Sequence, residues 1–220
     1  MDSVVRNGDR EKLIAAKEQW ARQSRLLTGE TRLREDDNRL PPGQHLVTSW
    51  PVLDIGITPT IRPESWRLDI GGLVQRPASF DLTEFGALPQ TALRSDIHCV
   101  TSWSRFDNDW IGVAAPDLLA DVKPLAKARF VQLEAYDGYT TNLPLDSFGR
   151  DDVVLATHWQ GQVLSVEHGA PVRLVVPQLY FWKSAKWLRR IEFTEIDRPG
   201  FWEQRGYHNS GDPWLEQRYG

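Results

Sequence analysis

Apolar and polar residues alternate in short runs along much of this chain, and glycine or proline ends several of them. A core built from such runs is made of short strands rather than long helices. Trp66, Leu68 and Ile70 alternate with Arg67 and Asp69 ahead of a turn at Gly71 and Gly72. Phe130, Gln132 and Glu134 alternate with Val131, Leu133 and Ala135, and residues 136–139 turn the chain. Ser95, Ile97 and Cys99 share one face of an extended segment, Asp96 and His98 the other. Residues 153–156 and 172–176 are short apolar strands. Trp187, Ile191 and Phe193 line one face of a further strand, on which Arg189 is the exception. Helices are few. A first is expected over about 10–27, with Leu13, Ala16, Trp20 and Leu27 on one face and Gly29 as its stop. Asp81 and Glu84 have capping-box spacing for a short helix to Ala87. Another short helix is expected over 116–122. Residues 31–44 form an irregular connection, and the tail from Asp197 shows no period. This mixture predicts an α+β fold of mostly antiparallel sheets with short helices, in a single domain over 1–220.

Composition narrows the partners. The 220 residues carry a formal net charge of -4, which gives no general attraction to nucleic acid or to an anionic membrane. No apolar run reaches the roughly 18–20 residues that span a bilayer. The single cysteine cannot form an internal disulfide. With a polar start and no twin-arginine pair near it, a cytoplasmic protein is expected.

Three places can carry chemistry. Cys99 is either a buried small hydrophobe or a reactive thiol, and His98, Thr101, Ser102 and Ser104 beside it are the polar neighbours a thiolate needs. His168 stands on a loop before the apolar strand 172–176, from which Arg173 projects; a guanidinium inside such a strand calls for an anionic partner. Lys183, Ser184 and Lys186 form a compact cationic turn among aromatics, suited to a phosphate or to a solvated basic edge. Neither a glycine-rich nucleotide fingerprint nor a zinc spacing is present.

In order, the motifs are Cys99 followed by Val-Thr-Ser-Trp-Ser, residues 168–173 before Val175, Val176 and Pro177, and residues 182–188 around the two lysines. Together, from about residue 40 to 195, they resemble the sulfite oxidase family of molybdopterin enzymes. The likeness is greatest to the short prokaryotic members related to the molybdopterin subunit of methionine sulfoxide reductase. That resemblance implies the sulfite-oxidase fold and a mononuclear molybdenum on a single pterin, with Cys99 as metal ligand. It implies His168 and Arg173 at the pterin, Ser184 and Lys186 at its terminal phosphate, Lys183 adding charge there, and Gln44 and His45 on an earlier cofactor-contacting loop. It further implies two-electron oxygen-atom transfer with a small oxo donor or acceptor and a separate redox partner protein. Only Arg105 stands where sulfite-oxidising members have an arginine-rich stretch, which sets sulfite apart from the expected substrate. Trp103, Ser104, Arg105 and Tyr139 are the expected substrate funnel. Two rival readings stand beside this one: a metal-free enzyme with Cys99 as nucleophile and His98 or His168 as base, and a non-catalytic molybdopterin-binding protein.

Overall fold

Strand alternation translates directly into two sheets. A computed structural model of the protein describes residues 7–22 and 39–220. One sheet of six strands joins β1 (His45–Leu46), β4 (Thr91–His98), β5 (Trp103–Ala114), β8 (Val154–Trp159), β9 (Gln162–Val163) and β10 (Arg173–Val175). The other runs in the order β3 (Ala78–Phe80), β2 (Leu68–Gly72), β11 (Leu188–Thr194), β6 (Phe130–Ala135) and β7 (Thr140–Pro144). Pairings are antiparallel except β1 with β5 and β2 with β11. The short helices are α1 (Asn7–Arg22), α2 (Leu82–Ala87), α3 (Ala115–Val122) and α4 (Leu145–Phe148). The architecture is therefore the mixed, mostly antiparallel one that the pattern predicts. One contiguous apolar core takes side chains from both sheets, among them Leu68, Ile70, Ile97, Val113, Leu133 and Ile191.

Local chemistry accounts for the boundaries. Asp81 Oδ1 accepts from the Glu84 amide and Glu84 Oε2 from the Asp81 amide, each at 2.8 Å, so α2 begins where its capping box stands. In β6, Val131, Leu133 and Ala135 are the buried half of the alternation. The exception at Arg189 has a physical cause. A bulge between Leu188 and Arg190 shifts the register of β11 against β6, so Leu188 and Ile191 both face inward and Arg189 stays exposed. A second shift between Ser95 and Ile97 breaks the alternation expected in β4, and Ile97, His98 and Cys99 are all buried.

The first helix differs from expectation in its face. The described helix ends at Arg22; Leu27 and Gly29 lie outside the described residues. Its buried stripe is Ile14, Lys17 and Ala21, while Leu13, Ala16 and Trp20 are half-buried. Arg10 Nε donates to the Ile55 carbonyl at 3.2 Å, and the Tyr219 hydroxyl donates to the Glu18 carbonyl at 2.8 Å, so α1 is tied to the 50–56 loop and to the C-terminal tail.

Candidate active site

Cys99 follows directly on β4 and opens a tight turn into β5. Its amide donates to the Trp103 carbonyl at 2.8 Å, and its carbonyl accepts from the Ser102 amide at 3.0 Å. Ser102 adopts φ 72°, the left-handed conformation that closes the turn. Gln44 braces it: the side-chain amide donates to the Cys99 carbonyl at 3.1 Å and its oxygen accepts from Ser104 Oγ at 3.2 Å. Arg218 clasps it from the tail, donating to the Val100 carbonyl and, at 3.3 Å, to Ser102 Oγ. The thiol faces Thr101 Oγ1 at 3.1 Å. Burial pushes its pKa up, against the pull of Thr101, Arg218 and Lys17. Left alone, this sulfur stays protonated; a soft cation bonded to it would reverse that.

A cleft of about 840 Å³, counted out to its open mouth, brings distant segments together. Cys99, Trp103, Tyr139, His168, Arg173, Ser184 and Lys186 all line it. Gly169, at φ 110°, lets the chain turn between His168 and β10; a Cβ there would lie 3.1 Å from both Arg173 Cβ and Lys186 Cα. The His168 ring stacks on Trp50 with centroids 3.9 Å apart, and its nitrogens meet Ser165 Oγ at 3.0 Å and the Trp50 carbonyl at 3.2 Å. Burial lowers its pKa, which favours the neutral ring.

Arg173 is the anomaly that the sequence announces. It is 2% exposed. Its guanidinium donates to the carbonyls of His168 at 2.8 Å, Ser184 at 3.0 Å and Leu174 at 3.3 Å, and lies 4.3 Å over the Phe181 ring. No carboxylate pairs with it among the described residues. Burial brings its pKa down to about 9. A guanidinium has five N–H donors, so three bonds leave two for a group in the cleft. Lys186 lines the same wall, donating to the Glu167 carbonyl at 2.9 Å; burial, then Arg173, bring its pKa down to about 7. The Ser184 hydroxyl accepts from the Val176 amide at 2.9 Å.

Other expected residues stand elsewhere. Lys183 does not line the cleft: it is buried on Glu203 at 2.6 Å and donates to the Asn142 carbonyl and side-chain oxygens at 3.0 and 3.1 Å. Its charge is neutralised inside the fold, which corrects the expectation that it serves a phosphate. Gln44 and His45 lie behind the Cys99 turn; the His45 amide donates to the Ser102 carbonyl at 2.9 Å. Ser104 is fully buried against His98 and Gln44. Arg105 stacks over Trp159 at 4.7 Å and donates to the Thr48 carbonyl at 3.1 Å, away from the cleft. Of the expected funnel, Trp103 and Tyr139 remain. The Tyr139 hydroxyl donates to the Trp182 carbonyl at 2.6 Å, while the buried Trp103 indole N–H has no partner among the described residues. Lys17, Trp50, Asp54, Asp137 and Arg218 carried no local signal, because each reaches the site from an unremarkable stretch of chain.

His98 points away from this cleft, with Nδ1 2.8 Å from Ser104 Oγ. Burial lowers its pKa from 6.5 to about 4. The unfolded chain therefore takes up this proton from near pH 6.5 downward while the native state refuses it until about pH 4. Stability is complete above that window and falls through it by up to about 3 kcal/mol. Urea titrations between pH 7 and pH 4 measure the loss, and His98→Gln removes that part of the slope.

A pterin carrying a metal and a phosphate fits this donor set. Arg173 supplies buried positive charge without a bound carboxylate, the half-buried Lys186 stands beside it, the Trp103 N–H is unsatisfied, and Cys99 offers one soft ligand. No cluster of three or more His, Cys, Asp or Glu able to hold a metal exists among the described residues, so a metal on Cys99 would draw its other ligands from an organic carrier.

Comparison with known proteins agrees with this fit. A family model described as an oxidoreductase molybdopterin-binding domain matches residues 55–202. The uncharacterized oxidoreductase YuiH of Bacillus subtilis is 47% identical over 195 residues, 88% of this chain and 98% of that protein. The protein-methionine-sulfoxide reductase catalytic subunit MsrP of Ralstonia nicotianae is 29% identical over 71% of this chain and 54% of its own length. The chain thus spans about half of that subunit. The crystal structure of the sulfane dehydrogenase SoxCD from Paracoccus pantotrophus matches with a TM-score of 0.60 at 22% identity, covering 69% of this chain and 43% of that one, and shows the shared fold.

Proposed function

This chain belongs to the molybdopterin-binding oxidoreductases, and from that premise we propose that it transfers an oxygen atom to or from a small substrate in a two-electron reaction at a mononuclear molybdenum on a single pterin. The observation that carries the reading is the meeting of the lone thiol, Cys99, with the carboxylate-free cation Arg173 in one cleft. When bound, the cofactor supplies the electron pair and the oxo exchange, chemistry that no side chain of the cleft provides. Cys99 would hold the metal; Arg173, His168, Ser184 and Lys186 would hold the pterin and its phosphate.

The protein's own residues do the rest. Trp50, Trp103, Trp182 and Trp202 wall the cleft with apolar surface and limit water around the reacting atoms. The Cys99 turn is fixed by Gln44 and Arg218, so the sulfur has one position rather than several. Electrons pass to or from a separate protein, and the lone thiol suits the reducing cytoplasm. No helix among the described residues is long and apolar enough to cross a membrane. A metal-free thiol mechanism lacks its base: His98 is bonded to Ser104, and His168 to Ser165 and Trp50.

Elemental analysis of protein purified from a molybdenum-replete host tests the proposal. About one molybdenum per chain is expected, with the fluorescence of an oxidised pterin released on denaturation. Protein with neither signal contradicts it.

A further inference from the structure

α1 lies outside residues 55–202, the span matched by the family model, yet it places a charge in the cleft. Lys17 is on the buried stripe of that helix, between Ile14 and Ala21, and is 7% exposed. A lysine in that position is a poor way to dock a helix; desolvating an ammonium is costly unless something pairs with it. Among the described residues no hydrogen bond or ion pair within 4.0 Å satisfies it. Burial lowers its pKa against the pull of the Asp54 carboxylate, and it lines the same cleft as Asp54 and Cys99. The other two cations of the cleft are engaged, Arg173 on three carbonyls and Lys186 on the Glu167 carbonyl. Lys17 is the buried cation of the cleft that commits no donor to any group among the described residues.

The helix is held well enough for this to matter. Arg10 anchors it to the loop that also carries Asp54 and Ile55 into the cleft, and Glu18 accepts from Tyr219 of the tail. Leu13 Cδ2 packs 3.3 Å from where a Cβ on Gly56 would stand, so the helix and the loop are in close contact. Resting on the function proposed above, we propose that α1 is part of the active site and that Lys17 is its substrate-binding cation, meeting the negative charge of a small oxyanion beside Cys99. Arg105, just after the Cys99 turn, faces elsewhere, so Lys17 supplies anion recognition from a different element.

Sulfate, an unreactive tetrahedral anion, reads the site without turnover. Calorimetric titration of the molybdenum-loaded protein is expected to show binding that Lys17→Gln weakens roughly tenfold or more and that Lys17→Arg largely restores. Both variants are expected to keep the wild-type molybdenum content and circular dichroism. In the wild type, sulfate is also expected to slow amide exchange across residues 13–21, a readout that needs no variant. A molybdenum-loaded wild type that binds no sulfate, a Lys17→Gln protein that binds it as tightly, or an α1 whose exchange ignores sulfate overturns this inference alone. Loss of molybdenum from Lys17→Gln also overturns it, because Lys17 would then hold the cofactor. A wild type without molybdenum overturns the proposed function itself.

Discussion

Protein carrying Arg173→Met is expected to leave a molybdenum-replete host with less than about a tenth of the wild-type pterin, since each charged hydrogen bond lost is worth roughly 1.5–3 kcal/mol. Arg173 is buried in the cleft wall and pairs with no carboxylate among the described residues, and two of its five N–H donors are uncommitted. Methionine approximates the length of the side chain but offers neither charge nor donors. Arg173→Lys separates the two contributions: it keeps the charge, loses the planar fork, and is expected to retain an intermediate amount of pterin. The substitution also strands the carbonyls of His168 and Ser184, so a fall in stability of about 2 kcal/mol accompanies it. Pterin content is therefore measured on the folded fraction after gel filtration. Wild-type content in Arg173→Met would remove the guanidinium from the cofactor site.

Cys99→Ser is expected to lower turnover by roughly a thousandfold or more while leaving the fold in place. Serine is nearly isosteric, and every backbone bond of the turn, from the Trp103 carbonyl to the Gln44 amide, survives the change. What is lost is one soft, polarisable ligand, replaced by a hard oxygen that stays protonated in a buried setting. Stability within about 1 kcal/mol of wild type, measured by urea, shows that the loss is chemical. Turnover near wild type would mean that this sulfur packs rather than binds.

Much of this was legible in the chain because it was local. The alternation of residues 130–135, the capping box at Asp81 and the short helix before Val122 all became the elements they announced. Bulges were not legible, since a register shift is a property of two strands together; the misplaced Arg189 was its visible trace. The face of α1 was misread for a related reason. Hydrophobic periodicity turns Leu13, Ala16 and Trp20 inward, while packing turns in Ile14, Lys17 and Ala21, beside a cleft assembled from segments far away in sequence. Lys183 and Lys186 show the limit most sharply. Three residues apart and alike in type, one sits in the turn of Phe181–Lys183 and is neutralised by Glu203, and the other, beyond that turn, lines the cleft. Arg218 gave no signal, coming from a tail without period, yet it fixes the Cys99 turn.

Molybdenum K-edge absorption on wild type and Cys99→Ser, loaded side by side, tests the central claim most directly. The account predicts that the metal in the variant has lost a sulfur neighbour and gained a light atom in its place. Identical sulfur coordination in the two proteins would contradict it.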